Sequence, residues 1–175
     1  MSRVPAWGAS VRVCHWAVAA CVITAFVLDD GGPLHRWIGY GAAAFVLLRW
    51  AAGFTSTPGA RLSAMVPSWH TTAVYLRSFR NGAPPRQRGH DPLGLWMVWL
   101  LWCLVLALGV TGWMSRLDAF WGDETMQTVH AWLANGLLAA VLLHLLGVAA
   151  MSWAWRENLP LTMVTGRKRP VDSER

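Results

Sequence analysis

Residues 128–150, TVHAWLANGLLAAVLLHLLGVAA, form an apolar run long enough to cross a bilayer as a helix, and two histidines are set into it. His130 and His144 are fourteen residues apart. That spacing is almost four whole turns, so both rings leave one face of the helix, roughly 21 Å apart along its axis at about 1.5 Å per residue. The face between them is Leu133, Ala134, Leu137, Ala140 and Val141, which is apolar and partly small. Polar groups in a membrane helix are costly unless a partner or a function retains them.

Three further apolar runs precede this one. With them the chain reads as an all-α, integral membrane four-helix bundle, a single domain over 1–175, with helices over about 11–28, 36–54, 93–114 and 128–153. Pro33 suits the first turn of the second helix, and Asp91-Pro92 suits the cap and first residue of the third. Asp29, Asp30, Gly31 and Gly32 turn the chain between the first two helices. Asp118, Asp123 and Glu124 lie in the loop before the fourth. Within the long polar connection, Val66, Trp69, Ala73 and Leu76 recur at helical spacing, which predicts a short interfacial helix over 66–80, ended by Pro84 and Pro85. No small-residue cleavage site follows the first run, which is therefore expected to be a retained anchor.

The net charge of +6 could suit nucleic acid, but the arginines lie in loops between apolar runs and no recognition motif accompanies them. Membrane topology accounts for them better. With both termini cytoplasmic, 13 of the 15 Lys and Arg fall inside and only Arg36 and Arg116 outside. Trp37, Trp113 and Trp132 then mark an outer belt, and Trp50, Trp96, Trp153 and Trp155 an inner one. Cys14, Cys21 and Cys103 form no CxxC or CxxCH and are expected to be small buried thiols.

Orientation sorts the histidines by depth. His35 opens an inward-going helix and His130 lies near the outer end of the last one, so these two share the outer side. His15 and His144 share the inner side. Two imidazoles at one depth on different helices can ligate one haem iron from opposite faces, and two such pairs suggest two stacked haems. Glycine and alanine on the second helix would let a macrocycle approach the backbone. The competing uses are a hydrogen bond to a neighbouring helix, a zinc or copper site, and a proton relay. A relay would want carboxylates, and the four spans hold none between their ends; a single metal would not divide its ligands between leaflets. Arg49, fourteen residues after His35, suits either a propionate of the inner haem or snorkelling to lipid phosphate. His70 is expected to be solvated. His90, beside Asp91 at the inner mouth of the third helix, is a candidate for proton exchange with a quinone. The third helix holds no strong ligand and is expected only to pack the bundle.

Several pieces resemble the bacterial cytochrome b561 family, which includes the b-type cytochrome subunits of nickel–iron hydrogenases and membrane formate dehydrogenases. They are Arg12-Val13-Cys14-His15-Trp16, Leu34-His35-Arg36-Trp37-Ile38-Gly39-Tyr40, Gly89-His90-Asp91-Pro92-Leu93-Gly94, His130 with His144, and the tail from Glu157-Asn158-Leu159 to Thr165-Gly166-Arg167-Lys168-Arg169. The resemblance implies two haem b groups with the same pairing, exchange of electrons with the quinone pool, and residence in the bacterial inner membrane. The expected partner is a periplasmic redox protein, a c-type cytochrome or a hydrogenase-like subunit. A small relative oxidises superoxide alone. This chain departs from it in its short first outer loop and its GHDPLG segment, and the outer side offers two cations against five carboxylates. A non-redox membrane anchor is the remaining alternative.

Overall fold

The computed structural model describes residues 4–28, 31–55, 62–80, 85–86 and 89–170. The Asp29-Asp30 turn and Pro84 lie outside the described residues. Four long helices form the bundle: α1 (Ala9–Val27), α2 (Pro33–Thr55), α4 (Pro92–Met114) and α5 (Glu124–Ala154). All four are long and apolar enough to span a membrane. Between α2 and α4 lie a 3-10 turn (Leu62–Met65) and the amphipathic α3 (Trp69–Arg80). A short α6 (Leu159–Thr165) follows α5.

The ends of the helices follow from local chemistry. Asp91 caps α4 through Gly94 N at 2.8 Å, with Pro92 as the first helical residue, as its sequence predicts. Helix α5 starts a turn earlier than the apolar run, because Asp123 caps the amides of Thr125 and Met126. The cap, not the apolar pattern, sets that boundary.

Helix α1 packs along α2, α2 against α4, and α4 along α5, while α5 makes little close backbone contact with α1 or α2. The core is Val46, wholly buried, with Ala42, Val105 and Leu137, and Val18, Cys21 and Phe26 around it. Gly109 brings α4 close to α2: a methyl there would stand 3.1 Å from the Ala43 methyl. Membrane helices associate through such small residues, since lipid offers no hydrophobic drive between them. Ala42 and Ala43 serve helix packing, and a methyl at Gly41 would stand 3.7 Å from Cys21 Sγ, while Gly39 has open space beside it. The outward faces, such as Leu142, Leu143, Leu145 and Leu146, are exposed, as lipid-facing residues are.

The apolar side of α3 is exposed, as that of an interfacial helix is: Trp69 and Leu76 point outward, with Val66 just before the helix, while Thr72 and Tyr75 are buried. Thr72 Oγ1 accepts from Trp96 Nε1 at 3.1 Å, and Trp69 lies against Trp96. An interfacial helix can turn its apolar side to lipid and dock through polar bonds. Trp50 and Trp96 are half-buried, Trp96 against α3 and Trp50 clustered on Trp99 and Trp102. Trp37, Trp113, Trp132 and Trp153 are exposed. Cys103 is exposed rather than buried, and Cys14 and Cys21 are half-buried.

The basic tail is also structured. Residues Val4–Pro5 and Arg167–Lys168 form a two-stranded antiparallel pair, β1 and β2, in the register Val4 with Lys168. Both ends of the described chain therefore lie at one end of the bundle, called the terminal end below; the other is the distal end. Gly166 O accepts from Ala6 N and Trp7 N, and Arg12 donates to Val164 O. Glu157, buried, binds Arg86 and accepts Arg169 N at 2.7 Å.

Candidate functional site

At the distal end, α2 and α5 bring His35 and His130 together, with ring centres 6.4 Å apart and planes inclined at 66°. An imidazole holds a metal at roughly 2 Å from its nitrogen, with the ring centre about 1 Å further back. Two rings on opposite sides of one ion therefore stand roughly 6 Å apart, centre to centre.

The tautomers follow from the partners of Nδ1. On His35 that nitrogen lies 2.6 Å from Leu28 O and 3.0 Å from Ala25 O. A carbonyl can only accept, so Nδ1 carries the proton and Nε2 keeps its lone pair. On His130, Nδ1 lies 2.8 Å from Thr111 Oγ1. In both rings Nδ1 is the nitrogen tied to the protein, which would leave Nε2 to a metal, as around metal-bound histidines. Gly39, one turn beyond His35 on the same face, has nothing within 4 Å of where a Cβ would stand. A flat macrocycle needs such an approach to a helix. The residues present thus fit a bis-histidine iron porphyrin.

Thr111 and Gly112 were not legible as site residues, and α4 does more than pack: Gly112 lies beside the His130 ring, 3.5 Å from Cε1 to the position of an added methyl. The one available signal was a hydroxyl within the apolar run of α4.

At the terminal end, α1 contributes His15 and α5 contributes His144, near enough to interact electrostatically. His15 Nδ1 is buried with no hydrogen-bond partner. Between His130 and His144, α5 turns Leu137 and Ala140 inward, with Leu133, Ala134 and Val141 half-buried, as the spacing predicts. Arg49 is 6% exposed; its Nη2 lies 3.2 Å from Met65 Sδ, and it interacts with Cys14, next to His15. The guanidinium is turned into the bundle rather than out to lipid phosphate.

His90 joins this group. Its ring stands edge to face on Trp7 at 4.8 Å. Burial, then the positive charges of Lys168 and Arg49, push its pKa down to about 4, and it also senses His144 and His15. Asp91 has one carboxylate oxygen committed to capping α4. Lys168, buried, donates to Gly89 O at 3.2 Å and lies 5.0 Å over the Trp7 ring. Burial lowers its pKa against the opposing pull of Glu157 and Asp91. His70 is exposed. Among the described residues, no three His, Cys, Asp or Glu side chains gather as a metal cluster, and His35 with His130 is the histidine pair in ring contact.

The family model described as prokaryotic cytochrome b561 matches residues 6–166. No curated protein matches the chain.

Proposed function

The chain belongs to the prokaryotic cytochrome b561 family, membrane b-type cytochromes that transfer electrons, and from that premise we propose that it carries two haem b groups and passes electrons across the bacterial inner membrane. His35 and His130 would hold one haem, and His15 and His144 the other. On this reading the terminal end is cytoplasmic, the side to which the positive-inside rule assigns the arginine-rich segments. The distal histidines would present their haem to a periplasmic redox protein, a c-type cytochrome or a hydrogenase-like subunit, and the terminal histidines would present theirs to quinone.

The observation that carries this reading is the distal pair: two rings 6.4 Å apart, each with Nδ1 tied back to the protein. When bound, haem supplies a one-electron ferric–ferrous couple. The protein's work is positional and electrostatic. Leu28 O and Thr111 Oγ1 hold the distal imidazoles in the ligating tautomer. Leu137, Ala140 and Val46 make a dry wall between the two levels. Arg49, buried beside α1, offers a cation to a propionate of the terminal haem. His90, kept neutral, can accept a proton beside a quinone at the terminal end, while Asp91 fixes the start of α4 beneath it.

Replacement of single ligands tests the pairing. His144→Ala is expected to remove one haem and leave the other, and His35→Ala to remove the other one. Each variant should keep half the reduced-minus-oxidised absorbance, and their residual spectra should sum to that of the wild type. Full haem content in either variant would refute the assignment.

A further inference from the structure

We propose that Thr111 is a positioning residue for His130: its hydroxyl fixes the proton of that ring and lowers the reduction potential of the distal haem. The inference rests on the reading of His35 and His130 as an iron-ligating pair. It adds a role for α4, which carries no ligand.

The hydroxyl of Thr111 has one proton. It lies 2.9 Å from Ala107 O and 3.2 Å from Leu108 O, the back-bonding to a preceding turn usual for threonine in a helix. With the proton directed there, the oxygen meets His130 Nδ1, 2.8 Å away, as an acceptor. Nδ1 is therefore the protonated nitrogen, and Nε2 is left with its lone pair on the side of His35. A hydroxyl that is already donating is also a better acceptor, because hydrogen bonds in a chain polarise one another. Gly112, the next residue, lets the ring lie close to the α4 backbone. The ring is thus held by a bond at one edge and by a surface beside it.

A ligating imidazole that donates from its far nitrogen is more electron-rich at the near one. A more basic ligand favours ferric over ferrous iron, so it lowers the potential. On His35 the same service comes from the Leu28 carbonyl, which no side-chain substitution removes. On His15, Nδ1 has no partner. Thr111 is therefore the side chain, among the described residues, through which the distal couple can be changed without touching a ligand.

The test is a spectroelectrochemical titration of the purified holoprotein in detergent, comparing wild type, Thr111→Val and Thr111→Ser. Valine keeps the shape and removes the acceptor; serine keeps the acceptor and removes the methyl. In Thr111→Val one of the two midpoints should rise, with the ferric-to-ferrous preference falling by up to tenfold, which for a one-electron couple is about 59 mV. The other midpoint should stay, and the component that moves should be the one His35→Ala deletes. Thr111→Ser should titrate as wild type. Loss of the distal haem in Thr111→Val, with retention in Thr111→Ser, also supports the role. Unchanged midpoints in Thr111→Val, equal movement of both, or equal effects of valine and serine would each overturn it. Failure of the ligation reading is distinguishable: there His35→Ala itself would leave both components in place.

Discussion

His90 is a side chain whose surroundings differ sharply from water although it lies outside the spans. Trp7 covers one edge, and Lys168, Arg49, His15 and His144 act on it, so a proton on this ring would enter a buried, already cationic place. The sign of the consequence can be worked out. The folded value is about 4, while an unfolded histidine titrates near 6.5. Between those values the unfolded chain takes up a proton that the folded chain refuses, so this group makes the protein less stable as pH falls from about 6.5 towards 4. The thermal midpoint of His90→Gln should therefore fall less than that of the wild type between pH 7 and pH 5. Equal falls would remove His90 as the cause. The same residue shows how far single side chains were legible. Histidines stand out in or beside apolar runs because their burial needs a reason. Thr111 did not stand out, because a threonine in a helix can satisfy itself on its own backbone, and its sequence looks the same with or without a second partner.

Elements differ in how much of their stability is their own. The four spans were readable because each carries its own hydrogen bonds and enough apolar length to remain in lipid. The β1–β2 pair and α6 were not. A seven-residue helix with Pro160 at its start and a two-residue strand have no local pattern strong enough to announce them. They exist through what they touch: Trp7, Arg12, Arg86 and Glu157. The helix α3 was readable from its apolar stripe, which is left exposed as in a helix lying at an interface. The clamp at the terminal end depends on Gly166, whose φ of +77° ends α6 and whose missing side chain admits Trp7 O, 2.8 Å from where a methyl would stand. Gly166→Ala should cost about 1–3 kcal/mol through strain and the displaced carbonyl. A thermal melt followed by haem absorbance should show a lower midpoint with the room-temperature spectrum intact. An unchanged midpoint would mean that the clamp does not contribute to the stability of the bundle.

At the scale of the whole molecule, the arrangement is a row of packed helices, α1 on α2 on α4 on α5, with the four histidines of the spans carried by three of them and two facing levels set by one helix, α5. The fourteen-residue interval on α5 places those levels roughly 21 Å apart, and the opposed directions of α1 and α2 supply one imidazole to each. Depth was therefore deducible from chain direction alone. What the helix directions could not convey was which neighbours settle each ring, because those contacts come from α4 and from the terminal segments. The proposed two-haem arrangement is tested most directly by the haem-to-polypeptide ratio of the purified, untagged protein, measured as haemochrome against quantitative amino-acid analysis. The account predicts two haem b per chain. One per chain, or a colourless protein, would contradict it.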